Sequence, residues 1–518
     1  MTLVKSLSLP LVAFLCAAPA WAAMPADTAS LPASPPGTQE RMWRYASCFH
    51  RFADEVYANP SAQLHRYNFS LSSASLSGEY SKESEPLFYE NGDGYDAFSF
   101  EADTYIRRHN FVLWGDAAYS NSRLRNVRWN ETSDHLLLYP YLTADSIGGD
   151  FDKESYSFAG GYAGHAGRIA WGTQLSYVAT IAYRGVDPRP KNVTSRLSLR
   201  LGLTYLWDRY GAGIFGEGEK YKQTSDIDFY SEMGSSKVYH LTGMAMHYVR
   251  FAGNNYDSYY NGYRWRAGIE LHPLNRSGWH AWGEINRFAF EKILSSLNEL
   301  PLASVTEYQG SAGVGYKMRV DTTASWGVVV DGRYVDRRGT ENIFGDAASN
   351  IYPQIASMQP YRNRVASVSI SGYYEGGAFT RLSYAIEPRV SSSMLSTTYA
   401  YPARSMAVNH LEAAADFYLS YVAGRSLWRF EAGSGYRMAY DGNLDITTVE
   451  GGDNVLLPVL QHTYRTLAAA DWHLTASLCY AVGLKNDYTL AFRLAWQHHR
   501  YDIGIVTHYA AASLSLVF

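Results

Sequence analysis

Asp471 and His473, and likewise His410, Glu412 and Asp416, are spaced by even numbers of residues, so on an extended strand each set projects from one face where acid and base could meet. His498-His499-Arg500 places two further imidazoles at an expected strand–loop junction. Gly211-Ala212-Gly213-Ile214-Phe215-Gly216 fits G-x-G-x-x-G, but no helix follows it and the segment alternates as a strand, so small residues on a sheet wall explain it better than a nucleotide site. G-x-S-x-G, H-E-x-x-H, a P-loop and C-x-x-C are all absent. The histidine clusters fall on faces expected to be polar in any case, and the solvated-wall reading is preferred for all three. No catalytic, cofactor-binding or metal-ligating residue is assigned, and no cofactor is expected.

The elements that would carry these residues follow from period-two patterning. Leu197, Leu199, Leu201, Leu203, Tyr205 and Trp207 share one face while Arg196, Ser198, Arg200, Gly202 and Thr204 share the other. Leu411, Ala413, Ala415, Phe417, Leu419 and Tyr421 oppose His410, Glu412, Asp416 and Ser420 in the same way. A third alternating run extends from Tyr464 to Leu484 without a phase break and predicts one long strand. Repeated beyond residue 64, with tight turns alternating with long polar loops, this pattern is that of a transmembrane antiparallel up-and-down β-barrel. Counting gives about 18 strands, with 16 to 20 allowed by the softness of single-sequence boundaries. The stretch Val238 to Phe251 fits either a further strand or a hairpin standing above the membrane.

Tight turns are expected at Arg107–Asn110, Ala163–Arg168, Asp208-Arg209, Pro273–Gly278, Asp321–Ala324, Glu375–Gly377, Ala423–Ser426 and Lys485–Asp487, and short turns mark the periplasmic end of such barrels. Long loops are expected at 78–95, 123–154, 185–193, 222–259, 291–306, 338–364, 389–407 and 441–463. Tyr105, Trp114, Trp171, Tyr183, Tyr205, Trp207, Trp265, Trp326, Tyr334, Trp428 and Trp496 would supply the interfacial girdles. Aromatic residues make up 15% of the chain and charged residues 18%, against roughly 25% charged in soluble domains. The formal net charge of −4 argues against a nucleic-acid partner. A soluble sandwich or propeller would need repeats of roughly 40 to 50 residues, which are not found.

Residues 1–23 carry Lys5, an apolar run from Leu7 to Ala18 and the small-residue site Ala20-Trp21-Ala22, the layout of a cleavable signal peptide. Residues 24–60 comprise a Pro/Ala/Ser-rich leader and a predicted amphipathic helix from Gln39 to Ala58, the one convincing helix of the mature chain, with Met42, Tyr45, Phe49, Phe52 and Val56 at three- and four-residue steps. That helix either plugs or docks in the periplasm, or simply covers a barrel mouth. Residues 61–518 form the barrel, which ends in Ala512, Leu514, Leu516 and Phe518, resembling the insertion signal read by outer-membrane assembly machinery. Cys48 on the helix and Cys479 on an inward face could pair as a staple or remain separate thiols.

Inward faces carry mixed signs: Arg264, Arg266, Glu270 and Glu284; Glu307, Lys317 and Arg319; Asp331 and Arg333; Arg429, Glu431 and Arg437. Interleaved opposite charges suit an ion-paired polar lumen, open to water or packed.

The stretches Leu138–Asp150 (LYPYLTADSIGGD), Tyr156–Tyr162 (YSFAGGY), Tyr183–Asn192 (YRGVDPRPKN) and Phe251–Tyr256 (FAGNNY) resemble a family of outer-membrane β-barrels catalogued as domain of unknown function 6850. The resemblance runs over nearly all the mature chain. It implies a barrel and an outer-membrane location, and it brings no activity or catalytic residue. Two of these stretches fall in expected loops, and Tyr139, Tyr141, Asp145, Asp187 and Arg189 are the candidate contact residues there. The same loops could instead fold back into the lumen as a constriction.

The first functional expectation is an outer-membrane channel or solute-uptake barrel with a polar, loop-constricted lumen. The alternative is a surface interaction or anchoring barrel that binds a protein partner without transport. An outer-membrane hydrolase is the third. The expected partners are the lipid bilayer, the barrel-insertion machinery through the Phe518 strand, and a small solute or surface protein.

Overall fold

A computed structural model describes residues 36–231, 236–253, 257–274, 277–348, 351–448 and 454–518. The signal peptide, the leader up to residue 35 and Asn254-Asn255-Tyr256 lie outside the described residues. The chain begins with helices α1 (Thr38–Ala46) and α2 (Cys48–Arg51), and two 3-10 turns (Asp54–Ala58 and Pro60–His65) follow. Strands β1 (Leu71–Glu83), β2 (Gly94–Arg107) and β3 (Phe111–Val127) come next, then α3 (His135–Leu138) and β4 (Thr143–Ala144). The chain continues through β5 (Gly149–Ala166), β6 (Ile169–Arg184), β7 (Arg189–Leu206), β8 (Tyr210–Asp228), β9 (Tyr239–Gly243), β10 (Met246–His247), β11 (Ser258–Pro273), β12 (Gly278–Leu294) and β13 (Leu300–Arg319). It closes with β14 (Ser325–Phe344), β15 (Gln354–Gly376), β16 (Leu382–Tyr399), β17 (Arg404–Ala423), β18 (Ser426–Ile446), α4 (Leu457–Ala468), β19 (Asp471–Gly483), β20 (Thr489–Tyr501) and β21 (Val506–Val517).

Eighteen of these strands form one antiparallel sheet in which sequence neighbours pair, and β1 pairs with β21 from Ser73↔Val517 to Glu83↔Thr507, closing the barrel. Closure leaves no strand edge unpaired, as a lipid environment requires. The fold is the expected outer-membrane type, with the expected strand number. Leu197, Leu199, Leu201 and Leu203 stand exposed on the outside, and the alternate residues of β7 line the interior. The remaining strands, β4, β9 and β10, form a separate three-stranded sheet, so the 238–251 stretch is an accessory hairpin and not a wall strand.

All eight predicted tight turns join wall strands. The predicted long loops are shorter than expected: most of 185–193, 291–306, 338–364 and 389–407 continues as paired strand, because hairpin hydrogen bonding carries on beyond the apolar band. The single predicted helix is broken at Ser47, which is extended (ψ 147°) and caps α2, and at Ala53, which has φ 60°. The predicted long strand Tyr464–Leu484 is wrong in its first part. Residues up to Ala468 belong to α4, whose Leu460, Tyr464 and Leu467 follow helical spacing and pack with Tyr361, Tyr399 and Met406. A helix besides the N-terminal ones therefore exists. Tyr105 and Trp114 are not girdle residues: both turn inward, onto the packing around Leu64 and Tyr67.

Candidate functional site

The inward faces enclose a lumen filled at each end by the chain itself. At the tight-turn end, residues 38–69 lie across the mouth. Asp487 in a tight turn accepts from Thr38 N at 2.9 Å and pairs with Arg41 at 2.6 Å, while Trp43 Nε1 donates to Ser383 Oγ at 3.0 Å. Glu375 accepts from Cys48 N at 2.7 Å, and Lys317 Nζ donates to the Phe49 and Phe52 carbonyls at 2.9 and 3.3 Å. On the facing wall, Asn59 Nδ2 donates to both Glu270 oxygens at 2.9 Å, and Arg200 donates to Ala58 O at 2.9 Å. A Cβ on Gly202 would collide with Asn59 Oδ1, so a glycine is needed where the plug backbone meets the wall. Cys48 and Cys479 are both free thiols. Burial, with Glu387 and Glu375 close by, pushes the Cys48 thiol up to about 12.

At the other end the segments 128–148 and 238–251 fold inward. Leu138, Tyr141 and Leu142 are wholly buried against Tyr221, Tyr260, Phe288, Phe290 and Val305 of the wall. Tyr260 OH and Lys292 Nζ donate to the carbonyls of Tyr141 and Leu142, each at 2.9 Å, and Arg404 donates to Met244 O at 2.7 Å. Arg184, itself buried, reaches Asp145 at 2.6 Å and Glu131 at 3.3 Å. Burial and the adjacent Asp145 carboxylate raise Glu131 well above the usual carboxylate range. Although burial opposes it, hydrogen bonds from Glu131 and Arg184 hold Asp145 below that range.

The candidate contact residues divide between these settings. Tyr139 packs edge-on against Tyr361, with ring centroids 5.8 Å apart, and Tyr141 and Asp145 are buried within the inward-folded segment. Asp187 instead accepts from Tyr230 N, Ser231 N and Arg189 Nε, each at 2.7 Å, and the Arg189 guanidinium stacks 4.4 Å over Tyr230, all near the surface. Glu131, Arg184 and Lys292 were missed as anchors, although for Arg184 and Lys292 a charged residue at an inward position of an otherwise apolar strand end was the available signal.

Between the two fillings the wall is polar. Arg200, Glu217, Arg266 and Glu284 form a chain of ion pairs, with Arg200–Glu217 at 2.6 Å and Arg266–Glu217 at 3.8 Å, and Arg429 and Arg493 flank Glu431 at 2.9 and 2.7 Å. Other inward charges stay exposed. Glu101, Asp103 and Asp116 stand on β2 and β3, with Asp103 and Asp116 in direct register, and Arg333 and Arg389 stand on β14 and β16. Strand order places these two groups on opposite sides of the barrel. Glu101, Asp116 and Arg389 lie outside ion-pair distance of any opposite charge among the described residues. Asp331, Glu387, Glu412 and Asp416 share the inward faces of β14, β16 and β17 with Arg333 and Arg389, so that side of the lumen carries both signs.

The histidine clusters also separate. His410 bonds through Nε2 to Leu467 O at 2.7 Å, holding α4 to β17. His498 faces outward beside Trp496 and His508, whereas His499 faces inward with Asp471 and His473.

The model of a family described as "Family of unknown function (DUF6850)" matches residues 60–518. No curated protein matches the chain. Among solved structures, the chain is similar to BauA, the ferric preacinetobactin receptor from Acinetobacter baumannii, at 8% identity and a TM-score of 0.39, covering 86% of this chain and 80% of that one. It is also similar to OccK1 (OpdK) from Pseudomonas aeruginosa, at 10% identity and a TM-score of 0.31, covering 87% and 98%. The CymD monoaromatic hydrocarbon channel matches at 10% identity and a TM-score of 0.31, covering 93% and 96%. Likeness at these levels carries no argument about function.

Proposed function

The chain belongs to the DUF6850 family of unknown function, and from that premise we propose that it is an outer-membrane channel for a small polar solute, closed at rest by its own N-terminal segment and inward-folded loops. The observation that carries this reading is the solvated middle of the lumen, where Glu101, Asp103 and Asp116 face Arg333 and Arg389. Charges held exposed without ion partners cost desolvation energy in a packed core and none in a water-filled chamber. Export through a cleavable signal peptide, insertion through the Phe518 strand and residence in the outer membrane belong to the same proposal.

Residues 38–69 reach wall strands around the mouth, from Tyr105 on β2 to Ala481 on β19, so a solute passes only when this segment moves. Planar-bilayer recordings of the purified barrel with and without residues 24–60 test the reading. Stable conductance steps that grow on deletion are the expected result, and silence from both forms overturns it.

The filling of both ends favours a second reading, a closed barrel that presents a protein-binding surface. Silence in both recordings would be its first support.

A further inference from the structure

We propose that Asp471, His473 and His499 form a site for one first-row divalent transition-metal ion on the lumen wall. Asp471 and His473 project inward from β19, and the β19–β20 register sets His499 directly opposite His473. Asp471 Oδ2 lies 3.1 Å from His499 Nδ1 and 3.5 Å from His473 Nδ1, and one donor atom from each residue falls within 4.8 Å of the others. Donors bound at zinc-like distances around a tetrahedral ion sit about 3.4 Å apart, so two of the three spacings already fit and a small imidazole rotation closes the third.

Three further features point to a ligand rather than to a chance cluster. A Cβ on Gly435, the register partner of His473 on β18, would collide with the His473 ring, so the sheet leaves a seat for that imidazole. The buried His473 Nδ1 makes no hydrogen bond and lies on the Asp471 side of the ring. The Asp471 side chain is 7% exposed, while His473 and His499 are 18% and 30% exposed, so the carboxylate anchors the site and open coordination positions face the lumen. Arg437, in register with Asp471, is the opposing charge on β18, and it moderates the affinity for a cation.

Two imidazoles and one carboxylate suit zinc, copper, nickel or ferrous iron better than calcium or magnesium, which prefer all-oxygen sets. The site stands whether or not the barrel conducts, because it is built from the wall alone.

Equilibrium dialysis of the chelator-stripped, full-length protein in detergent against Zn²⁺ and against Cu²⁺, with metal counted by mass spectrometry, tests the proposal. One ion per chain is expected, with affinity weakened more than about ten-fold in His473→Ala and in His499→Ala. His498→Ala/His508→Ala, which alters only the outward pair, keeps the ion. Copper bound to the unaltered chain shows coupling to two nitrogens in its paramagnetic resonance spectrum. The heat-dependent gel mobility of each variant confirms a closed barrel. Absence of binding at micromolar metal, or an unchanged ion count in the correctly folded His473→Ala/His499→Ala variant, overturns the site.

Discussion

Lys317, buried in the barrel wall, donates its Nζ to the carbonyl of Phe49 at 2.9 Å, tying β13 to the segment that crosses the tight-turn mouth. Lys292 makes the corresponding contact at the other end, with the Leu142 carbonyl at 2.9 Å. A wall lysine therefore bonds the backbone of each filling. A hydrogen bond from a charged donor contributes about 1.5–3 kcal/mol. Lys317→Met keeps the apolar stem and removes this bond, so the N-terminal segment should detach more often while the barrel stays closed. Limited trypsin digestion at Arg51 should become faster in the variant, and an unchanged rate with intact gel mobility would show that the segment is held elsewhere.

The Glu131–Asp145–Arg184 cluster gives a prediction with a sign in pH. Glu131 is raised in the folded chain, so its contribution to stability is complete below about pH 4.3, its unfolded value, and is lost as pH rises toward the folded value. Asp145 is lowered, so its contribution holds above about pH 3.9 and is lost only as pH falls. Glu131→Gln fixes the neutral form and should flatten the decline that begins above about pH 4.3 in detergent melting curves. Arg184→Met strands the Asp145 carboxylate in a buried site and should cost about 3–5 kcal/mol. Parallel melting curves for Glu131→Gln and the unaltered protein would contradict the assignment.

The barrel was legible because lipid imposes one rule on every wall strand: Leu197 to Trp207 must alternate, and a register slip of one residue would turn Arg196 and Arg200 outward. The α4 segment was not legible as a continuation of that rule, since Thr466, Ala468 and Ala470 happen to keep the phase of β19, and only the packing of Leu460, Tyr464 and Leu467 separates helix from strand. The interior was legible by sign alone. Nothing in sequence spacing joins Asp471 to His499, because their meeting depends on the β19–β20 register, nor Arg184 to Glu131 and Asp145, because an inward-folding loop sets that contact.

Cys48 offers a check on how firmly the tight-turn mouth is filled. Its thiol is pushed up to about 12 by burial, and its surroundings add the Glu387 and Glu375 carboxylates, so almost no thiolate exists at neutral pH. Maleimide labelling of Cys48 in a Cys479→Ser background should be slow in the folded barrel and accelerate when Lys317→Met is added. The unaltered chain should run identically on reducing and non-reducing gels, as two free thiols require. Prompt labelling of Cys48 in the folded Cys479→Ser barrel would mean that the mouth stands open.

The exposed lumen charges make the most direct prediction about permeation. Arg389 lies on β16, exposed in the lumen and outside ion-pair distance of the acidic residues across the barrel. A unit charge at about 8 Å in water changes the energy of a passing ion by about 0.5 kcal/mol, a roughly two-fold effect on relative permeability. In a barrel lacking residues 24–60, Arg389→Ala should therefore shift selectivity toward cations about two-fold, and Glu101→Gln should shift it toward anions. Reversal potentials under a potassium chloride gradient read both shifts. The pairing of the two variants matters, because a general loosening of the wall would move them in the same direction, whereas single charges of opposite sign beside the path of the ion move them in opposite ones.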